Sequence, residues 1–279
     1  MPSPSPASPP PTQSHALLSY PNPSVLLVTL NHPLAMNALP FQAHWDLSQL
    51  WSWFDDSPTL LVAILTGAGS AFCAGQDLKE VQANRRQPPS QPYLKGRPPS
   101  GFGGMSQRKG RKPIIAAVNG VAFGGGFEMC LNCDIVIASP RAKFALPEAR
   151  RGLYASAGGL PRLVHGAGIQ IASEIALTGR SISAEEGIRW LFVNRISKSH
   201  ESLLDEAIAL GREIARLSPD AVIATRGGLR DAHEMAGLEE TWARTKERYE
   251  RKLYSAPNML EGLAAFMEKR EPKWVMSSL

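Results

Sequence analysis

The chain has 279 residues, of which 43% are hydrophobic and 20% are charged, as is typical of a soluble globular protein. Its length allows one large domain or a core with an appendage. Three cysteines argue against a disulfide framework and favour a reducing compartment. No apolar run approaches the roughly 20 residues that a membrane-spanning helix needs, so no membrane partner is expected.

The net charge is mildly positive, with 30 Lys and Arg against 25 Asp and Glu. Basic residues cluster at 108–112 (RKGRK) and 269–270, which is consistent with an ordinary basic surface or with a small anionic ligand. Only 7% of residues are aromatic, and no motif of a nucleic-acid-binding fold accompanies the basic runs. We therefore expect no nucleic-acid partner.

The two ends of the chain carry little folding information. Residues 1–15 are rich in Pro, Ser and Ala and are predicted to form a disordered tail. They lack the arginines of a mitochondrial transit peptide and the apolar stretch of a secretory signal, which favours a cytoplasmic location. The last three residues, SSL, resemble a peroxisomal signal except at the middle position, so a peroxisomal location is the alternative.

Between these ends, apolar strands alternate with helices. Strands are predicted over residues 25–30, 60–65, 113–118 and 134–138, and helices over 40–54 and 125–131. Continuous apolar strands separated by helices indicate an α/β fold with a parallel sheet that is covered on both faces. Residues 82–112, rich in Pro, Gly and Arg, are predicted to be a lid or a binding loop, because long internal loops are uncommon.

The C-terminal part has a different pattern. Helices are predicted over residues 202–217, 221–233, 238–252 and 259–269, and such a helical tail packs on the core or on another subunit. The predicted division is therefore a tail over 1–15, a core over 16–200 and a helical C-terminal region over 201–279.

Two glutamates are the strongest candidates for catalysis. Glu128, in residues 124–129 (GGGFEM), and Glu148, in residues 144–148 (FALPE), each follow an apolar segment. Carboxylates are rarely buried unless they are paired or used. An ion pair with Arg150 or Arg151 is the structural alternative to an acid/base pair facing a pocket.

Two glycine-bearing segments accompany the glutamates. Residues 71–78 (AFCAGQDL) place a glycine after a strand, and residues 119–129 (NGVAFGGGFEM) open a helix with three glycines. Such segments expose N–H groups that can bind an anion or a developing oxyanion. A simple strand-to-helix turn is the alternative for the first segment, and the spacing of the second excludes a Walker loop and the dinucleotide-binding fingerprint.

Several motifs in the same order resemble the crotonase, or enoyl-CoA hydratase/isomerase, superfamily. They are residues 70–78 (SAFCAGQDL), 112–128 (KPIIAAVNGVAFGGGFE) and 145–148 (ALPE), within a resemblance that extends from about residue 25 to 274. Residues 101–104, 189–195, 261–262 and 268–274 look most like the carnitinyl-CoA dehydratase branch.

This resemblance implies a core of ββα spiral turns, a helical C-terminal trimerisation region, and a homotrimer or hexamer. It implies an acyl-CoA substrate and no separate cofactor, since CoA is part of the substrate. The N–H groups of Gln76 and Gly125 would hold the thioester oxygen, and Glu128 and Glu148 match the two acid/base positions of the hydratases. The CoA-binding positions that it implies are Gln76, Asp77, Leu78, Lys79, Ala35, Phe266 and Lys269.

Departures from the family pattern leave the substrate open. Leu34 replaces a lysine of the first loop, and residues 155–157 (ASA) replace a Pro-Gly or Pro-Asp pair near the acyl pocket. The residues favour reversible hydration of a 2-enoyl-CoA. The alternatives are Δ3,Δ2-enoyl-CoA isomerisation, which one carboxylate can perform, and a crotonase-like protein that binds without catalysis.

Other reactive residues are predicted to be structural. Cys130 and Cys133 have no second pair with which to hold zinc, so no metal site is expected. Cys73 has no histidine near it in sequence and is predicted to serve packing. His44, His165 and His233 lie in helical contexts, which are typical either of surface histidines or of buried histidines with satisfied hydrogen bonds.

Overall fold

The computed structural model describes residues 8–85, 96–234 and 237–279, without the side chains of residues 84 and 85. Residues 1–7 of the predicted tail and residues 86–95 of the predicted loop lie outside this part. Within the tail, the carbonyl of Ser8 accepts a hydrogen bond from Trp53 and the side chain of Gln13 donates one to the carbonyl of Asp46. No helix in the described ranges is long and apolar enough to cross a membrane.

The strands form two sheets. The first sheet has six strands in the order β1-β2-β3-β5-β7-β10, and the second has four in the order β4-β6-β8-β9. The edge strands β1 and β9 are antiparallel to their neighbours, and all other pairs are parallel. The strands are β1 (Ala16–Asn22), β2 (Val25–Leu30), β3 (Val62–Gly67), β4 (Ala71–Cys73), β5 (Ile114–Val118), β6 (Val121–Phe123), β7 (Ile135–Ala138), β8 (Lys143–Ala145), β9 (Ile182–Ser183) and β10 (Arg195–Ile196).

Helices cover the sheets and form the C-terminal part. They are α1 (Phe41–Asp56), α2 (Leu78–Arg85), α3 (Gly125–Asn132), α4 (Gly159–Ala167), α5 (Ile169–Thr178), α6 (Ala184–Arg189), α7 (Leu203–Ala215), α8 (Pro219–Glu234), α9 (Leu238–Thr245), α10 (Arg251–Tyr254) and α11 (Pro257–Glu268). A π turn over Lys246–Glu250 joins α9 to α10, so the helix predicted over 238–252 is a single helical run with one irregular turn.

The first sheet is buried on both faces, which explains its continuous apolar strands. Because successive side chains of a strand point to opposite faces, Leu26 and Val28 of β2 pack in the main core, whereas Val25 and Leu27 pack against the buried face of α7. Each fully buried side chain of this size stabilises the fold by roughly 1.5–3 kcal/mol. The predicted parallel sheet with two covered faces is confirmed, with the addition of the antiparallel edge β1.

The core is a spiral in which each turn gives one strand to each sheet. The chain passes from β3 to β4, then from β5 to β6, and then from β7 to β8, and the first strand of each pair joins the first sheet while the second joins the second sheet. Helices separate the pairs, so the unit is ββα. The ββα spiral that the family resemblance implied is therefore confirmed.

Candidate active site

The second sheet brings the predicted site residues to one edge. Its strands β4, β6 and β8 are parallel neighbours, so their carboxyl ends lie side by side. Gln76 comes three residues after β4, Gly125 two after β6, and Glu148 three after β8. Residues that are far apart in sequence therefore meet because equivalent turns of the spiral end at the same edge.

These strand ends surround a cavity of about 250 Å³. Both glutamates line it, together with Gln76 and Gly125. Its other walls come from α1, α2, the loop before β5 and the segment after β8, and they include Phe41, Leu78, Val81, Arg97, Phe102, Pro147, Arg151, Leu153, Tyr154 and Ser156. The predicted acid/base pair thus faces a pocket with a largely apolar wall, and the predicted loop contributes Arg97 and Phe102 to it.

Gln76 and Gly125, which both line this cavity, each carry a backbone N–H group that can act as a donor. The N–H of Leu39 donates to Gly75 and the carbonyl of Leu39 accepts from Asp77, so the N–H of Gln76, between them, points away from Leu39. Gly75 has φ +99°, and a Cβ built on it would lie 3.6 Å from the nitrogen of Gly125. Gly125 is the first residue of α3, where N–H groups have no partner within the helix. Neither N–H donates to a group in the described part of the chain, which leaves both available to an oxygen.

His44 holds the side chain of Gln76 in place. Its Nδ1 accepts a hydrogen bond from the N–H of Gly103 at 3.1 Å, so its Nε2 carries the proton and donates to Oε1 of Gln76 at 2.9 Å. Burial lowers the pKa of His44 to about 4, and the ring is therefore neutral near pH 7. The Gln76 amide in turn donates to the carbonyl of Leu39 at 3.0 Å. His44 is thus a satisfied buried histidine, as one of the two sequence interpretations held.

Glu128 is fixed by two backbone donors. The N–H groups of Ala157 and Gly159 each donate to its Oε1 at 2.9 Å. A Cβ built on Gly159 would lie 2.6 Å from Cγ of Glu128, so a glycine is needed there. Burial raises the pKa of Glu128, while the two backbone hydrogen bonds and the positive charge of Arg97 favour its ionised form.

Glu148 is held differently, with one oxygen lacking a partner. Its Oε2 is buried and has no hydrogen-bond partner among the described residues. Gly124, with φ +53°, passes so close that a Cβ there would lie 2.8 Å from Oε1 of Glu148. Burial raises the pKa of Glu148 to about 7, and the nearby carboxylate of Glu128 adds to this rise. Ion pairing with Arg150 or Arg151, the alternative from the sequence, is not present, since neither lies within ion-pair distance of Glu148 in the described structure.

The environment of Glu148 predicts a pH-dependent change in stability for Glu148→Gln. Between pH 4.5 and about 7 the unfolded chain ionises this group while the folded chain keeps the proton. The wild type therefore loses stability as the pH rises through that window. Glutamine cannot ionise, so the variant should unfold a few degrees above the wild type at pH 8 and show a smaller difference at pH 5. Thermal unfolding at both pH values checks this, with exposed Glu239→Gln as control, and an equal difference at both would contradict it.

The structure separates the predicted CoA-binding residues into two groups. Gln76 and Leu78 line the cavity, whereas the side chain of Asp77 accepts from the N–H of Lys79 at 2.9 Å and so caps α2. The others lie outside the cavity lining: Ala35 in a 3₁₀ turn, Lys79 on the exposed face of α2, and Phe266 and Lys269 at the end of α11. Phe266 is 81% exposed. The CoA contacts stay predictions.

None of the three cysteines lines the cavity. Cys73 and Cys130 are buried, and burial raises the pKa of the Cys73 thiol to about 12. Within the described residues, no three His, Cys, Asp or Glu side chains are grouped as a metal site would require. The sequence did not indicate Arg97 and Ser156 as polar groups of the cavity wall, nor His44, outside the cavity lining, as a support for Gln76. Only the unusual 155–157 segment gave a signal for one of them.

Comparison with known proteins identifies relatives along nearly the whole chain. The profile of the enoyl-CoA hydratase/isomerase family matches residues 21–276. A mevalonyl-coenzyme A hydratase from Aspergillus fumigatus is 46% identical over 270 residues, which cover 96% of this chain and 98% of that protein. A carnitinyl-CoA dehydratase from Escherichia coli K12 is 38% identical over 259 residues, which cover 91% and 95%.

Solved structures agree with the sequence relatives. The crystal structure of an enoyl-CoA hydratase from Mycobacterium tuberculosis superposes with a TM-score of 0.83 at 33% identity, covering 95% of this chain and 100% of that one. A second, from Mycobacterium marinum, gives a TM-score of 0.82 at 34% identity, covering 94% and 99%. The chain is therefore an enzyme of the enoyl-CoA hydratase/isomerase, or crotonase, family.

Proposed function

We propose that this enzyme is a hydro-lyase that adds water reversibly to a 2-enoyl-CoA thioester. The observation that carries the proposal is the pair of unlike carboxyl groups in one cavity. Glu148 has a raised pKa and an unpartnered buried oxygen, and Glu128 is anchored by two N–H donors. Such a difference is what separate acid and base roles require.

In this proposal the two free N–H groups form the oxyanion hole. Water addition to C3 of the enoyl group builds negative charge on the thioester oxygen, and the N–H groups of Gln76 and Gly125 would donate to it. Donors aimed at a developing oxyanion contribute roughly 3–4 kcal/mol each to transition-state stabilisation. The hydrogen bonds of His44 and Leu39 to the Gln76 side chain fix this residue before substrate binds.

The proton transfers follow from the two environments. Ionised Glu128 takes a proton from water as the water oxygen bonds to C3. Glu148, which can hold its proton near pH 7 because of its raised pKa, then gives that proton to C2 as the enolate collapses. Elimination of water runs through the same steps in reverse. The chemistry uses groups of this chain, and coenzyme A enters as part of the substrate.

We propose mevalonyl-CoA as the first substrate to test. Two relatives named mevalonyl-coenzyme A hydratase are 46% and 44% identical to the chain, against 38% to 39% for the carnitinyl-CoA dehydratases compared with it. Loss of the 3-hydroxyl of mevalonyl-CoA would give 5-hydroxy-3-methylpent-2-enoyl-CoA, a 2-enoyl thioester.

The assembly and the location belong to the same proposal. A homotrimer or hexamer is supported by exposed apolar residues on α11, namely Leu260, Leu263, Phe266 and Met267. The family resemblance implies that Phe266 and Lys269 would reach CoA bound to the same or a neighbouring subunit. A cytoplasmic enzyme, or alternatively a peroxisomal one, stays a prediction from the sequence.

The proposal predicts that the purified enzyme hydrates crotonyl-CoA and longer 2-enoyl-CoAs. The measurement is the loss of the conjugated thioester absorbance, with a parallel assay on a 3-enoyl-CoA. Hydration that disappears in both Glu128→Ala and Glu148→Ala supports the proposal. Conversion of the 3-enoyl-CoA that survives Glu128→Ala indicates an isomerase instead, and no turnover of any thioester indicates a binding protein.

A further inference from the structure

An arginine shares the cavity with the two glutamates and has no role in the steps above. Arg97 lies at the start of the described part of the loop before β5 and lines the cavity beside Glu128, Glu148 and Gln76. It is partly buried, and its guanidinium lies over the ring of Phe102, with Cζ 5.5 Å from the ring centroid. An arginine stays charged in such surroundings, so a fixed cation faces the substrate space.

Most of the hydrogen-bonding capacity of this guanidinium is unused. Nη1 donates to Oγ of Ser156 at 3.3 Å and Nη2 to Oε1 of Gln76 at 3.5 Å, and both bonds are long. A guanidinium has five N–H donors, which leaves three without an acceptor in the described part of the chain. No carboxylate of the described residues lies within ion-pair distance of it, and Glu128 and Glu148 interact with it only at longer range.

Ser156 extends this polar wall. It accepts the bond from Arg97, and its own O–H has no acceptor among the described residues. It belongs to the 155–157 segment that also supplies the N–H of Ala157 to Glu128. The polar wall is therefore attached directly to the segment that orients one catalytic carboxylate, so a group bound there is fixed relative to the reacting carbons.

The charges in the cavity favour a hydroxyl group over a carboxylate group as the substrate group that binds to Arg97 and Ser156. Arg97 and Glu128, which are both shielded from solvent, carry opposite charges, whereas Arg151 in the same lining is exposed, so that solvent screens its charge. A carboxylate on the acyl chain would add an uncompensated negative charge to a half-buried space that already holds Glu128. A hydroxyl group accepts from Arg97 and donates to a neighbouring oxygen without adding charge, and leaving donors unsatisfied in a substrate complex is costly.

We propose that Arg97 and Ser156 bind a hydroxyl group carried by the acyl chain beyond C3, and that they make the enzyme selective for hydroxylated enoyl-CoAs over plain hydrocarbon ones. This assignment rests on the proposed hydratase function. The substrate class is defined by a hydroxyl group on the acyl chain. Arg97 is then a residue that determines substrate specificity, whereas Glu128 and Glu148 transfer protons.

Three substrates of equal length test the proposal: pent-2-enoyl-CoA, 5-hydroxypent-2-enoyl-CoA and pent-2-enedioyl-CoA, which end in a methyl, a hydroxyl and a carboxylate group. The wild type should hydrate the hydroxylated compound with a kcat/KM about 10- to 100-fold above that of the other two, as expected for a hydrogen bond to a charged group. Arg97→Gln should abolish this preference, because it should lower kcat/KM for the hydroxylated compound at least tenfold more than for pent-2-enoyl-CoA. Ser156→Ala should reduce the preference by a smaller factor.

Arg141→Gln is the matched control, because Arg141 is exposed, pairs with Glu201 at 3.7 Å and lies outside the cavity lining. It removes the same charge and should leave the preference unchanged. Equal losses on all three substrates in Arg97→Gln would overturn the proposal, since they would mean that Arg97 acts through Gln76 or Glu128. A wild-type preference for the carboxylate substrate would overturn it as well.

The outcomes separate this proposal from the hydratase function. If the wild type hydrates all three compounds with equal kcat/KM, and Glu148→Gln abolishes this hydration, the hydratase function stands and the selectivity proposal fails. If the wild type hydrates none of the three, both fail. Thermal unfolding of each variant, with transitions matching the wild type, shows that a change in selectivity is not a loss of fold.

Discussion

Replacing Glu148 by glutamine is expected to lower kcat for water addition by about 10²- to 10⁴-fold, the range that general acid–base catalysis contributes. The amide has nearly the same shape as the acid but no proton to transfer to C2. Because Oε2 of Glu148 has no hydrogen-bond partner in the described structure, an amide NH₂ group placed there replaces no hydrogen bond. Steady-state kinetics on a 2-enoyl-CoA measure the loss.

The pH profile provides a second readout of the same residue. The pKa of Glu148 is raised to about 7 by burial, so the protonated donor disappears as the pH rises through that value. In the wild type, kcat/KM for hydration should therefore fall above pH 7, and the residual activity of Glu148→Gln should lack this limb. Glu239→Gln, on the exposed surface of α9, should behave as wild type. A rate of Glu148→Gln within tenfold of the wild type would contradict the assignment of Glu148 as the proton donor.

Replacing Glu128 by glutamine is expected to lower kcat by a similar factor of about 10² to 10⁴, through loss of the base that activates water. Both neighbours of Oε1 are N–H donors, from Ala157 and Gly159. The amide must therefore place its oxygen there and its NH₂ towards the cavity. Both backbone hydrogen bonds survive, so the unfolding temperature should stay close to that of the wild type while hydration is lost.

Glu128→Ala separates the structural role of this residue from its chemical one. Truncation leaves the N–H groups of Ala157 and Gly159 without their acceptor, and an unsatisfied buried donor costs about 1–3 kcal/mol. The alanine variant should thus lose both activity and stability, whereas the glutamine variant loses activity alone. Denaturant unfolding of the two variants beside the kinetics makes the comparison. Wild-type kcat in Glu128→Gln would remove Glu128 from the mechanism.

The long strands and helices could be predicted from the sequence because the spacing of their apolar residues shows which side chains are buried. The predicted strand over residues 25–30 coincides with β2, since five of its six residues are buried on one face or the other. The predicted helix over 40–54 corresponds to α1, whose buried residues recur at helical spacing, as at Ala43, Leu47, Leu50 and Phe54. These patterns are long enough for the period to be visible.

The second sheet could not be predicted in the same way. Its strands β4, β6, β8 and β9 have only two or three residues, which is too short for an alternating pattern. They are stabilised by the spiral around them rather than by their own sequence. Yet this sheet aligns the three loops of the site, so the meeting of Gln76, Gly125 and Glu148 followed from motif resemblance rather than from local pattern.

The supporting residues of the site depend on contacts between distant segments. His44 reaches Gln76 across 32 residues and Arg97 reaches Ser156 across 59. In the sequence, His44 belongs to a helix and Arg97 to an irregular Pro- and Gly-rich loop, and neither context indicates a cavity. The glutamates were found because a carboxylate that follows an apolar segment is unusual by itself, whereas an arginine in a loop is not.

Water addition by the two glutamates is tested most directly by the fate of the water oxygen. The enzyme is mixed with a 2-enoyl-CoA in H₂¹⁸O, and the product is analysed by mass spectrometry. Hydration predicts a 3-hydroxyacyl-CoA that carries ¹⁸O in its hydroxyl group, and its rate of formation should fall to near background in both Glu128→Gln and Glu148→Gln. A product of unchanged mass with a displaced double bond, or ¹⁸O incorporation that persists in both variants, would contradict the account.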